Sequence, residues 1–343
     1  MDIEEAVPRS RRFSRALPFW LPLPLGWLAT AVGCGDDGPT GGAGGAAASM
    51  GGFGGIDASL LPYEPCAADA LVGQFEVELA EGFTRVGGQV SDGVVTSQVP
   101  EQLDSAGDCR LLRPLASTCA PACAFATETC SLAGACVPLP RTRDVGTVTV
   151  RGLVVPLEMR PNEITRNYAN PALPRLPNPG FLPGSDLRIN SQGGDYAPFE
   201  LRGWGVSPLI LSGEVIDVRR GQPARLAWEA PEAPGPARVN VELNINFHGT
   251  NGAWIECDFL DTGAAEIPAQ LIDGLFAQGL SGNPTLSAVR RSATSLAIEP
   301  GCVEMLVYSE VSTPVQVEGV VSCRDSSDCP PLEECVSVKL FCQ

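Results

Sequence analysis

The 343-residue sequence predicts a mainly β fold: an antiparallel β-sandwich body with two small disulfide-rich modules and one short helix. Three observations lead there. Apolar and polar residues alternate with period two through many short segments, as half-buried strands require. The chain holds 31 prolines and 38 glycines, and a proline inside a helix costs about 3 kcal/mol, so long helices are disfavoured. Thirteen cysteines fall into two tight clusters, two separated pairs and one residue near the start.

Residues 1–33 have the order of a secretory signal. Arg9, Arg11, Arg12 and Arg15 are followed by the apolar run Leu17 to Leu28 and then by small residues up to Gly33. Pro18, Pro22 and Pro24 interrupt the apolar run, which falls short of the roughly 20 residues a membrane-spanning helix needs. Export followed by cleavage is therefore expected. Ala31-Val32-Gly33-Cys34 resembles the lipobox of bacterial lipoproteins, which implies a lipid on the Cys34 thiol and a bilayer as the chain's first partner. Ala31 and Val32 depart from the commonest residues of that motif. Ser10-Arg11-Arg12 is similar to a twin-arginine export signal, an alternative route that Ser14 departs from. Gly35 directly after the cysteine points to the outer membrane, on its periplasmic or surface face. Residues 34–57, rich in Gly and Ala with little to bury, read as a flexible tether.

Lipidation of Cys34 leaves twelve cysteines and resolves the odd count. Cys119, Cys123, Cys130 and Cys136 form one cluster, and Cys323, Cys329, Cys335 and Cys342 the other. Each has a glutamate before its third cysteine, Glu128 and Glu334, so the two read as copies of one small knuckle with local bridges. The remaining four would pair as Cys66 with Cys109 and Cys257 with Cys302. Neither cluster has a Cys-x2-Cys hook or a histidine near it, so disulfides are favoured over zinc in an exported chain. Leader, Gly-Cys-Gly-Asp-Asp start, Gly/Ala tether and cysteine-rich knuckles together resemble uncharacterised myxobacterial lipoproteins. That resemblance implies residence in the cell envelope and no known activity.

The body follows in order. Residues 58–160 are expected to form a small antiparallel β unit, with strands at 71–79, 93–99 and 148–157 and the cysteine-rich module at 119–136. The proline-dense stretch 161–184 reads as a linker. Residues 185–321 would be the β-sandwich, with Val239-Val241-Leu243-Ile245-Phe247 its clearest alternation. Pro268, the shared face of Leu271, Ile272, Leu275 and Phe276, and Gly279 mark one helix. Residues 322–343 complete the chain as the second cysteine-rich module.

Composition narrows function more by exclusion than by assignment. With 40 acidic against 23 basic residues and a net charge of −17, a nucleic-acid partner is excluded, because phosphate binding needs basic surface. His248 sits in a glycine-rich turn with no Gly-x-Ser-x-Gly elsewhere, and neither Ser-x-x-Lys nor a phosphate-cradling Gly-x4-Gly-Lys occurs. No catalytic set and no cofactor are expected. Glu256, Asp258 and Asp261 are weak calcium candidates whose order departs from the EF-hand loop; solvated strand-end acids are the plainer reading. Tyr196, Trp204, Trp228 and Trp254 offer rings that pack a core or stack on sugars, and Trp204, between Gly203 and Gly205, is the one most open to a ligand. The expectation is a membrane-anchored, non-catalytic envelope protein contacting another protein or a polysaccharide. The alternative is a glycosidase-like envelope hydrolase working through carboxylates.

Overall fold

The computed structural model describes residues 62–343 apart from 97–98, 116–118, 173–174, 214, 233–234, 246–251, 281–283 and 337–339. The leader, Cys34, the tether and His248 lie outside the described residues. In order come β1 (Leu71–Leu79), β2 (Thr84–Val90), β3 (Pro100–Ala106), β4 (Cys109–Pro114), β5 (Glu128–Cys130), β6 (Cys136–Pro138), β7 (Val148–Arg151), β8 (Leu157–Met159), β9 (Tyr168–Ala169) and β10 (Asp186–Ser191). Then follow β11 (Phe199–Trp204), β12 (Ile216–Val218), β13 (Ala224–Ala227), β14 (Arg238–Asn244), β15 (Trp254–Leu260), β16 (Ala264–Ile267), α1 (Ala269–Gln278), β17 (Thr285–Ile298), β18 (Gly301–Val317), β19 (Cys335–Val336) and β20 (Phe341–Cys342).

One large sheet organises the molecule, in the order β3-β4-β15-β14-β17-β18-β1-β2-β9, with β12 added to the far end of β18. Its pairings are antiparallel except that β1 and β12 both run parallel to β18. The long strands β17 and β18 form a continuous antiparallel ladder from Thr285↔Pro314 to Ile298↔Gly301. Directly paired residues share a face, so Leu286, Ala288, Arg290 and Ser292 lie on the same face as Thr313, Val311, Ser309 and Val307. This inner face is covered in two patches. A second sheet, β11-β10-β7-β8, packs Val148, Val150, Leu187, Ile189 and Leu201 against Phe75, Val77, Met305 and Val307 in one apolar core. The hairpin β13/β16 and α1 cover the other half, where Leu226, Ile267, Leu271, Ile272 and Leu275 meet Val239, Val241, Leu243 and Ile255. The sandwich, the helix and the two modules are all present. Among the described residues no helix is long and apolar enough to cross a membrane.

Helix α1 matches its signals: Pro268 takes the N-cap position, the four apolar residues are buried, and Gly279 ends the helix at φ 118°. The expected domain partition gives way. Residues 58–160 and 185–321 do not form separate units, because β1 pairs with β18 and β4 pairs with β15. Nor is 161–184 a linker between two domains, since β9 within it pairs with β2 of the same sheet. Tyr168 in β9 is buried, its hydroxyl accepting from Val145 N–H and donating to the Gly146 carbonyl, both at 2.9 Å, and Phe181 is fully buried. No strand forms at residues 93–96, and strands β2, β3, β4 and β10 form where none is expected, although Leu187 and Ile189 of β10 do alternate with polar residues.

All twelve cysteines of the body form disulfides. The separated four pair as Cys66–Cys302 and Cys109–Cys257, not as Cys66 with Cys109 and Cys257 with Cys302. Topology is the reason. Cys66 leads into β1, which lies parallel to β18 and so brings it beside Cys302; Cys109 opens β4, which faces Cys257 across the ladder with β15. The two knuckles share one connectivity, first cysteine to third and second to fourth, around the hairpins β5/β6 and β19/β20. Their glutamates differ in role. The Glu128 carboxylate accepts from Ala124 N–H at 2.9 Å, whereas Glu334 pairs through its backbone with Gln343. Each module exposes a large apolar residue between its second and third cysteines, Phe125 and Leu332.

Candidate ligand groove

The two cores share the inner face of β17 and β18 but do not merge. Between Ala288 and Val311 on one side and Val307 and Met305 on the other, the paired positions are Arg290↔Ser309, with Ser292 next in line. This polar seam is buried: Arg290 and Ser292 are each 2% exposed and Ser309 is 5% exposed. Buried polar groups need partners, and these come from the segment that crosses from one cover to the other, residues 204–209, and from Asp261 and the Glu229 carbonyl.

Ser292 grips the end of β11. Its hydroxyl accepts from Trp204 N–H at 3.1 Å and donates to the Trp204 carbonyl at 2.7 Å, while Thr294 donates to the Arg202 carbonyl. Ser309 accepts from Leu209 N–H at 3.2 Å. Arg290 holds the rest. Its Nε and Nη2 donate to the two carboxylate oxygens of Asp261 at 2.7 and 3.1 Å, Nη1 donates to Ser207 Oγ at 3.0 Å and the Pro208 carbonyl at 2.7 Å, and Nη2 also reaches the Glu229 carbonyl at 2.5 Å. Asp261 Oδ1 accepts in addition from Trp228 Nε1 at 2.7 Å. A planar fork suits this task, because it can satisfy a carboxylate and several carbonyls at fixed angles.

Above this clasp lies an open groove of about 500 Å3. Trp204, Pro183, Pro208, Ile210, Pro231 and Ala237 line it, with Glu229 and Glu232 at its margin and Asp261 and Arg290 at its floor. Trp204 reaches this wall because Gly203 lets β11 approach β18 closely; a Cβ there would sit 2.7 Å from Val307 Cγ2. The indole is half-buried, and its Nε1–H donates to no acceptor among the described residues. Gly235 keeps the space beside that N–H clear, since a Cβ would stand 2.9 Å from Trp204 Nε1. An aromatic plate with a free donor at its edge, next to proline rings, offers a ligand apolar contact and one directed hydrogen bond.

The other predicted site residues are not brought together. Glu256 and Asp258 alternate with buried Ile255, Cys257 and Phe259, and so project from the outer face of the sheet. Glu256 accepts from Arg110 and Asn240, both at 3.3 Å, and Asp258 accepts from Arg238 Nε at 3.1 Å and the Tyr63 hydroxyl at 3.0 Å. Asp261, past the strand end, turns inward to Arg290. The three carboxylates therefore serve separate cationic and hydrogen-bonding partners and do not converge as calcium ligands. Of the rings, Trp228 is core, and the Tyr196 hydroxyl donates to the Ser91 carbonyl at 3.2 Å. Trp254 is half-buried on the outer face with Glu256 and Asp258.

The outer face has its own buried chemistry. The segment before β1 crosses it, held by Glu64 N–H to the Ala293 carbonyl, by Cys66–Cys302 and by Cys66 N–H to Glu304 at 2.8 Å. Burial pushes the Tyr63 hydroxyl up to about 12, with the Arg291 cation opposing and Asp258 adding. Burial also raises the Glu304 carboxyl above the ordinary range, against the lowering effects of Cys66 N–H and Arg291. Arg290 is the residue that sequence reasoning missed. Its only signal is an arginine at an inward phase of a strand, which reads as solvated unless the partner acid is known.

No family model and no curated protein matches the chain. Among solved structures, the FN1–FN3 domains of chicken CNTN1 are similar over 66% of this chain and 70% of theirs, at 10% identity and a TM-score of 0.16.

Proposed function

We propose that this chain is a non-catalytic binding protein of the cell envelope, tethered to a bilayer by lipid on Cys34, and that its groove at Trp204 takes a polysaccharide. The observation that carries this reading is the indole itself, lining an open groove with its N–H free among the described residues. Sugar rings present apolar C–H faces and hydroxyl acceptors together, which matches a plate with a donor edge. The alternative, a carboxylate-dependent hydrolase, has three acids at the groove to draw on. Asp261 is occupied by Arg290 and Trp228, and Glu229 and Glu232 are solvent-exposed. A general acid working near neutral pH needs burial to stay protonated, and these two lack it.

The test is binding of purified chain to peptidoglycan, lipopolysaccharide and neutral glucans, comparing wild type with Trp204→Ala. Loss of about 1.4 kcal/mol of contact weakens binding about tenfold. Equal affinities on every polysaccharide that binds would refute the groove. Release of reducing ends that disappears in Glu229→Gln or Glu232→Gln would replace the binding reading with the hydrolase.

A further inference from the structure

Strand β18 is paired along one edge with β17 throughout, but its other edge is shared. β1 occupies that edge up to Tyr308, and β12 takes it up again from Val315. Among the described residues no strand pairs with 309–314 there. The groups left open follow from backbone alternation. Cys302 N–H reaches the Ala70 carbonyl at 2.8 Å and Glu318 N–H reaches the Val218 carbonyl at 3.1 Å, both on the β1/β12 edge, whereas Val315 N–H points the other way to Pro284 at 3.3 Å. No bulge interrupts the ladder with β17, so every even-numbered residue of β18 faces the β1/β12 edge. The N–H and C=O of Glu310 and Ser312, and the C=O of Pro314, therefore face the gap. Pro314 fits this phase, because a residue with no N–H loses no ladder bond on an open edge.

The gap is a cleft of about 920 Å3, bounded by β18, the end of β1 and the 208–211 segment. Ile210 and Leu211 give one wall an apolar surface, Glu81 and Glu310 supply negative charge, and no Lys or Arg lines it. We propose that this slot accepts one extended segment of a partner protein, about five residues at roughly 3.3 Å each, added to β18 between β1 and β12. Main-chain pairing would hold it, as strand addition does elsewhere. Alternation sets its side chains: small apolar residues toward Ile210 and Leu211, and Lys or Arg at intervening positions toward the two glutamates. This second site is distinct from the Trp204 groove, although Pro208 and Ile210 line both.

The full chain is titrated with a capped fluorescent heptapeptide, Lys-Val-Lys-Val-Thr-Val-Lys, and with the same peptide N-methylated at every residue, which keeps the charge and removes every strand donor whichever way the peptide runs. The expected result is saturable binding of the first peptide, at least tenfold weaker binding of the second, and at least tenfold weaker binding by Ser312→Pro and by Glu310→Lys. Glu310→Lys changes an exposed side chain and keeps the test standing if Ser312→Pro does not fold. Hydrogen exchange is read alongside: in the free chain the Glu310 and Ser312 amides should exchange at least a hundredfold faster than Val311, and slow when peptide binds. No saturable binding, or equal binding of both peptides, overturns the proposal. So does protection of Glu310 and Ser312 in the free chain, which means that the chain itself fills the slot or, if sedimentation shows a dimer, that a second copy does.

Discussion

Removing Asp261 tests the clasp that joins the two covers. In Asp261→Ala the Arg290 guanidinium, 2% exposed, loses a carboxylate whose side chain is 6% exposed, and Trp228 Nε1 loses its acceptor. Breaking a buried ion pair from one side costs about 3–5 kcal/mol, because the remaining charge stays desolvated. Two features pull the value to the lower end. Arg290 keeps Ser207 Oγ and the Pro208 and Glu229 carbonyls, and the groove at its floor admits water. The expected loss is about 3 kcal/mol. At the roughly 2 °C per kcal/mol that suits a body of this size, Tm falls by about 6 °C. The measurement is equilibrium guanidinium unfolding with disulfides intact, followed by tryptophan fluorescence. Arg290→Met combined with Asp261→Ala completes the cycle. Because the double variant buries no lone charge, its loss should fall short of the sum of the singles by at least about 1.5 kcal/mol. A single-variant loss under about 1 kcal/mol, the usual worth of an exposed pair, would refute the claim that this charge is buried and clasped.

Gly235→Ala should place a methyl 2.9 Å from Trp204 Nε1, so that one of the two must shift, and weaken polysaccharide binding severalfold; unchanged binding would detach that N–H from recognition. Glu304 has the opposite sign from a salt-bridged acid. Its folded pKa lies above the unfolded value of about 4.3, so the native state binds more protons, and the penalty is absent below the unfolded value and complete above the folded one. Glu304→Gln should therefore raise Tm at pH 8 and lose that advantage at pH 4; the reverse order in a pH series of melts would contradict the burial. Peptide mapping without reduction should recover Cys66 linked to Cys302 and Cys109 linked to Cys257, and a Cys66–Cys109 fragment would break the assigned topology. A fatty-acid analogue should label wild type and not Cys34→Ala, with equal labelling arguing against lipidation.

What was legible in the sequence followed from where apolar alternation is unbroken. Strand β14 and helix α1 are plain because Val239, Val241 and Leu243, or Leu271, Ile272 and Leu275, sit at the inward phase of one element. The first ten residues of β17 are not, because their inward positions include Arg290 and Ser292, so the longest ladder in the sheet looks polar on both faces. β2 is diluted by Gly87 and Gly88, and β9 by the prolines around it, although Tyr168 packs fully. Partner choice was illegible for a different reason. The Cys66–Cys302 bridge depends on a parallel pairing between segments more than 200 residues apart, and nothing local to Cys66 distinguishes that from a bridge to Cys109. Trp204 was found through its flanking glycines. Asp261 was found for its charge and given the wrong partner, since oxygen-ligand spacing is visible in a strand-turn and an arginine 29 residues later is not.

Both candidate sites have one structural cause. β17 and β18 are long enough to carry two cores on one face, but the covers are separate pieces, a four-stranded sheet on one half and a hairpin with a helix on the other. Where covers abut without merging, the face beneath cannot be apolar without exposing it to water, and there the chain places Arg290, Ser292 and Ser309. The 204–209 crossing, together with the Glu229 carbonyl and the Asp261 carboxylate, satisfies them, and the crossing is thereby fixed along the seam. A fixed crossing leaves a hollow on each flank, and Pro208 and Ile210 line both: the Trp204 groove on one side and the unpaired edge of β18 on the other. On this argument loosening the clasp should affect both hollows, so Asp261→Ala should weaken polysaccharide and strand-peptide binding together, whereas Trp204→Ala and Glu310→Lys should each affect only one.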